Sequence, residues 1–558
     1  MMRKIFILIS VIIFLREITL AQVNYDKNFL DSLYNYYVSL RSQVAFPEGI
    51  SNKNPTDIKC GFGLSSEIKH NFERFTLEQQ NVLMKLLQRP SKQASMVSSS
   101  GFFRIHYDTT GFEVPNYNPA LTTEANVTEV AEALDSTYNF EVIFLGYPPP
   151  PQDNNVGSDN LYDVYITIPI YDSYGSTAPE SFLGDQKYTS YMEIHYDFKN
   201  FYTKGLNAMR VTVAHEFHHS IQLGNYTGDK ADIDLFFYEM TSTSMEEFVY
   251  DDVNDYYAYM PSYFLNPQKS FAENTGYSLA IWNIYLKENF GFNIVKRQWE
   301  LMPTQRAMNA INTSLTEAGS SFKYELNKFG EWTYYTKHRA IPGEYFEEAS
   351  FYPLIRPLAK IIFTSTDEVV SITSKATANN FIYFTNQTNN NDTMFVLITN
   401  GDVLSAITNS SQLFPCTLYM YDYYVDGAVQ LKEKYYAKLE TENPSVWLLF
   451  GEDKGNSVNY PFPQPFSYAK NYQQGPFIII PVSPYDNRNV DFYVYSSSMN
   501  LIYSEENYQP TLSRIIGGYS INWKVLDNQR RKLASGVYIY VIKSGDEIQK
   551  GKLVILHD

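Results

Sequence analysis

The sequence predicts a multidomain α+β protein, with strands and then helices up to about residue 345 and β-sandwich domains after about residue 350. Three observations carry this. The chain has 558 residues, too many for one hydrophobic core. Apolar periodicity changes along it, from helical spacings between about 205 and 340 to short alternating runs separated by Asn- and Gly-rich turns. Aromatic residues make up 16%, with 48 Tyr and 37 Phe, which supplies core material and favours strands.

Residues 1–21 read as a secretory signal. Arg3-Lys4 is the basic start, Ile5–Leu15 the apolar run, and Thr19-Leu20-Ala21 sets small residues before a cut at Gln22. The run is too short for a bilayer anchor, and no other stretch is apolar enough, so a secreted chain without a transmembrane segment is expected. Residues 22–97 have helical spacing in Asn28–Tyr37 and Thr76–Leu87 and end in Gln88–Ser98, a Ser-rich stretch without periodicity. They read as a helical propeptide with an exposed linker, as in a zymogen. Residues 98–345 hold strands at Phe102–Tyr107, Asp163–Pro169 and Tyr191–Tyr196, a helix at Asn126–Asn139, and later helices around His215 and at Leu235–Tyr250, Gly276–Asn289 and Ile294–Leu301. Residues 350–475 alternate as a β-sandwich, and 476–558 form a further β unit. A net charge of −17 and a pI near 5.0 speak against nucleic acid or an anionic membrane as partner.

The chemistry concentrates in His215-Glu216-Phe217-His218-His219, inside the apolar stretch Val211–Gln222. This is H-E-x-x-H. Four residues apart, His215 and His219 lie about 40° apart around a helix, so one tetrahedral Zn²⁺ can take both. Glu216, beside the first histidine, can accept the proton of a water that the metal activates. His218 projects elsewhere and suits packing or support of the ligands. A third ligand is required. The extension H-E-x-x-H-x-x-G-x-x-H fails, because Gln222 stands for Gly and Asn225 for the third His. A glutamate on the next helix is the alternative, and Glu239 and Glu246 both qualify. They are about 10.5 Å apart along the axis and cannot both bind one ion. Either can be the ligand, with the other left to support a ligand. Asp232 or Asp234 can cap that helix. Tyr250 and Tyr256 are candidates for stabilising an oxyanion. Asp153, Asn155, Asp159 and Asp163 space oxygen atoms as in a Ca²⁺ loop, or make only a turn.

Ala214–Gln222, the helix carrying Glu239 and Met245-Glu246-Glu247, and Asn254-Asp255-Tyr256 together resemble a family of secreted bacterial gluzincin-like zinc metalloproteases. The resemblance spans about residues 55–340. Twenty residues from His219 to Glu239 matches the spacing in thermolysin-like gluzincins, so the resemblance implies Glu239 as the third ligand and leaves Glu246 as the candidate for supporting a ligand. It implies a gluzincin-like metallopeptidase domain between a propeptide and C-terminal β domains. At the other end, Trp523-x-x-x-Asp527, Ser535-Gly536-Val537-Tyr538-x-Tyr540 and Gly551-Lys552-Leu553 resemble the Ig-like repeat of flagellar hook-capping proteins and the sorting modules of type IX secretion. That implies an Ig-like fold anchored by Trp523 and Tyr538, with secretion machinery as a partner; a plain exported Ig-like domain is equally open.

Cys60 and Cys416 are the only cysteines. Three readings stand. Cys60, in Ile58-Lys59-Cys60-Gly61, can close the fourth zinc position, a context loosely similar to the cysteine switch of matrix metalloproteases; it can pair with Cys416; or it can be a buried thiol. The expected function is a secreted zinc endopeptidase acting on protein or peptide. Two alternatives are a surface adhesin on a relic metallo-domain and a metal-dependent amidase acting on glycoconjugate or cell-wall peptide. An intact Glu216 argues against the relic.

Overall fold

The computed structural model describes residues 27–41, 58–341 and, discontinuously, 343–557; the segment 1–21 expected to be a signal and the Asn-rich stretch 387–392 lie outside the described residues. Helices and several β-sheets fall into two compact units. The first comprises Met1–Tyr259 with Thr275–Ala310, and the second Met260–Asn274 with Ile311–Asp558. Among the described residues, no helix is long and apolar enough to cross a membrane.

The first unit is built on a five-stranded sheet of β1 (Ala94–Val97), β2 (Phe103–Tyr107), β3 (Tyr162–Thr167), β4 (Gly175–Gly184) and β5 (Lys187–His195), in the order β1-β2-β3-β5-β4. β2, β3 and β5 are parallel; β1 and β4 run antiparallel at the edges. β3 is buried along its whole length, as a central strand with both faces covered must be. β4 is the edge strand beside the H-E-x-x-H helix.

That helix is α5 (Gly205–Ile221), which follows α1 (27–41), α2 (Phe62–His70), α3 (Leu77–Leu86) and α4 (Thr123–Tyr138). Thirteen of the seventeen residues of α5 are buried, so from Val211 on it has no solvent face and its polar side chains there must be satisfied from within. It continues through a π turn, Gln222–Tyr226, into a loop that leads to α6 (Leu235–Val249). Asp234 precedes α6, but its carboxylate holds Arg306 and the Ala307 amide rather than capping the helix. α1–α3 share a small core of their own, in which Leu33, Tyr37, Ile68 and Leu83 pack with Ile170.

Two expectations need correction here. Gln88–Ser98 is not an exposed linker: Ala94–Val97 is β1, and Arg89 is tied to Asp153, Asp163 and Glu180. A strand of four residues at a sheet edge is too short to show periodicity in sequence. The boundary at 345 also moves, because Ile311 onward belongs to the second unit.

In that unit, helix Phe322–Tyr334 is joined to strand Thr393–Asn400 through an Asn327–Thr399 hydrogen bond of 2.9 Å. Two four-stranded sheets enclose a core containing Ile382, Val396, Cys416 and Leu418. A five-stranded and a three-stranded sheet then form a second sandwich, with Trp523 and Tyr538 in its core. Strand Phe466–Ser467 pairs with Glu547–Leu556 in it, so this module starts before 466 rather than at 476.

Candidate metal centre

α5 and α6 bring His215, His219 and Glu239 to one point. His215 Nε2 lies 3.2 Å from His219 Nε2 and 3.1 Å from Glu239 Oε2, and His219 Nε2 lies 3.4 Å from Glu239 Oε2. A tetrahedral ion with ligands at about 2.0–2.1 Å requires ligand–ligand edges of about 3.3 Å. The three edges fit zinc. A fourth group completes the set: the donor atoms of Cys60, His215, His219 and Glu239 all lie within 4.8 Å of one another, and all four residues are buried.

The other atom of each ligand is held in turn. His215 Nδ1 is 2.7 Å from Glu246 Oε1, and His219 Nδ1 is 2.7 Å from Gln222 Oε1 and 3.2 Å from Ser242 Oγ. These contacts leave both Nε2 atoms directed at the shared point. Burial opposes charge on His215 and Glu239, but their pairing prevails: the carboxylates of Glu239 and Glu246 hold the His215 imidazolium up to about 9, and the histidines hold Glu239 down to about 2. The residue that broke the longer histidine motif, Gln222, is the one that orients His219.

Glu216 points past the ligands. Its Oε2 is 2.8 Å from Thr177 Oγ1 on β4, and burial raises its pKa. The β4 backbone passes so close that a Cβ on Gly175 would sit 2.6 Å from Glu216 Cγ. Only glycine leaves that carboxylate its room.

Residues 58–61 form a strap along this edge. Tyr174 N donates to Lys59 O at 3.0 Å, and Gly61 N donates to Gly175 O at 2.9 Å. The Cys60 amide donates to the Tyr277 hydroxyl at 3.3 Å, and the Phe62 amide donates to Cys60 Sγ at 3.2 Å. Burial, then Glu216 and Glu239, push the thiol pKa well up. Beyond the strap, Phe62 stacks on His219 with ring centroids 4.0 Å apart and planes 8° apart. A Cβ on Gly61 would lie 2.3 Å from Ile170 Cγ2, and one on Gly63 2.8 Å from Leu235 Cδ2. Lys59 is buried and pairs with Glu246 and Asp255.

Several candidates lie elsewhere. His218 does not support a zinc ligand: its Nδ1 is 2.7 Å from Glu141 Oε2, in a pair that burial keeps neutral by raising the acid and lowering the histidine. The Tyr250 hydroxyl donates to the Ala133 carbonyl, and Tyr256 packs edge-on against Tyr257. The hydroxyl beside the ligands is that of Tyr277, brought in because Gly276 lets the chain press onto α6; a Cβ there would be 2.5 Å from Glu239 Cβ. The calcium loop is corrected as well. Arg89 takes the carboxylates of Asp153 and Asp163, Arg104 takes Asp159, and Asn155 turns with positive φ, which is the turn reading of this loop. Cys60 and Cys416 are both free thiols in different units, which removes the disulfide reading.

No family model and no curated protein matches the chain. Among solved structures it is similar to PorZ, an essential surface component of the type-IX secretion system of Porphyromonas gingivalis, at 9% identity over 32% of this chain and 37% of that one, with a TM-score of 0.13. A likeness of that size carries no argument about fold or function.

Proposed function

We propose that the first unit is a gluzincin-like zinc endopeptidase, exported from the cell, with His215, His219 and Glu239 as the metal ligands. The single observation that supports it most is the set of three donor–donor edges, 3.1, 3.2 and 3.4 Å, beside a buried glutamate. Zinc held there would supply Lewis-acid polarisation of a carbonyl and acidify a water. Glu216 does the proton work. Its carboxylate acts on the Cys60 thiol, which lies among the His215, His219 and Glu239 donor atoms, so a water standing in place of that thiol would lie beside it. It accepts a proton as the water attacks and returns it to the leaving amine. A raised pKa suits a base working near neutral pH. The Tyr277 hydroxyl, next to the same position, is aimed to donate to the developing oxyanion. The signal-like N-terminus and the Trp523/Tyr538 module support export and a hand-over to secretion machinery.

The test begins with metal content. The purified chain holds about one zinc, and His215→Ala, His219→Ala and Glu239→Gln lose it, whereas Glu246→Gln keeps it with affinity lowered about 10–100-fold. Elemental analysis after dialysis reads this out; zinc retained by Glu239→Gln and lost by Glu246→Gln would exchange their roles. Tyr277→Phe keeps the metal and lowers kcat about 10–100-fold, measured on a Cys60→Ser background. An unchanged kcat removes the tyrosine from the reaction.

A further inference from the structure

We propose that the cavity filled by the Lys59 side chain is a specificity subsite for a cationic side chain, so that the enzyme cuts peptides beside a lysine or arginine. This rests on the endopeptidase reading and adds a substrate class to it.

The walls of the cavity belong to the domain and not to the strap. Glu246 Oε2, on α6, lies 2.5 Å from Lys59 Nζ, and Asp255 Oδ2 pairs with the same nitrogen. The rings of Tyr174 and Tyr259 flank it, with centroids 5.0 and 5.2 Å from Nζ. All four residues are buried. The Tyr174 hydroxyl donates to Asp255 Oδ1 at 3.1 Å, and Glu246 Oε1 faces His215 Nδ1 at 2.7 Å. Each carboxylate therefore has one oxygen held by the domain and the other directed at the cation. A neutral side chain in this place would leave two buried carboxylates facing each other without a counter-charge.

The strap lies where an extended peptide must lie. Its hydrogen bonds to Tyr174, Gly175 and the Tyr277 hydroxyl come from main-chain atoms, which any peptide possesses. With Cys60 at the metal, the adjacent side chain drops into the acidic cavity. A substrate whose reacting residue replaces Cys60 then presents its own neighbour there. The two aromatic faces and paired carboxylates suit an ammonium or guanidinium and reject an acid.

Two measurements test this. In zinc-loaded Lys59→Ala, n-butylammonium raises the Tm and n-butanol does not; equal responses overturn the cation site without reference to activity. In Lys59→Gln/Cys60→Ser, which takes the ammonium out of the cavity and the thiol away from the metal and so loosens the strap, peptide-library cleavage is enriched at least tenfold for Lys or Arg flanking the scissile bond. Adding Asp255→Asn removes that enrichment while cleavage of a Gln-containing peptide persists. Cleavage without cationic preference overturns the subsite and leaves the peptidase standing. A zinc-loaded double variant that cleaves nothing overturns both.

Discussion

Glu216→Gln keeps one zinc per chain and loses hydrolysis, with kcat/KM reduced about 10²–10⁴-fold, the range typical of removing a general base. The substitution is nearly isosteric. The amide can still meet Thr177 Oγ1, 2.8 Å from the native carboxylate, and the close Gly175 backbone sees no added bulk. What it cannot do is take a proton. The comparison belongs on a Cys60→Ser background, with zinc measured on the same samples. Activity within tenfold of the parent would remove Glu216 from the reaction. Loss of zinc would show that its role is to hold the ligands.

Cys60→Ser raises peptide hydrolysis by the uncut chain at least about a hundredfold, because a thiolate is a strong zinc ligand and a serine hydroxyl is not. The position of Cys60 among the ligand atoms and against Glu216 motivates this, as does its status as a free, buried thiol. X-ray absorption gives a second reading: a zinc–sulfur distance of about 2.3 Å in the wild type that is absent in the variant. Equally low activity of wild type and Cys60→Ser, with sulfur bound to zinc in the wild type, would make the four-ligand set structural and end the latency reading.

The parts of this site legible in sequence are those fixed by local geometry. Four residues of helix bring His215 and His219 to one face, and the next helix offered Glu239 and Glu246, with the resemblance favouring Glu239 as ligand and Glu246 as support. The rest depends on contacts distant in sequence. Lys59 meets Glu246 across 187 residues, and Cys60 meets Tyr277 across 217. No periodicity encodes such pairs. The calcium-like loop misled for the same reason, since the arginines that neutralise it lie 55 to 74 residues away. In the fold, buried sandwich strands showed clear alternation, whereas β1, four residues at an edge, looked like a linker. Trp523 and Tyr538 stood out because large aromatics in a Gly-punctuated strand pattern have few places to go except a core.

The tight seating of the strap bears on how latency would end. Gly61 and Gly63 sit where no further atom fits, and Phe62 lies flat on His219. Such a segment cannot swing aside on a hinge while its neighbours stay packed. It has to come undone, together with α2, as a unit of local unfolding. An uncut chain would then be active only in the fraction of time that 58–70 is open. Amide exchange in that segment and residual proteolysis would report one and the same equilibrium, and warming would shift both together.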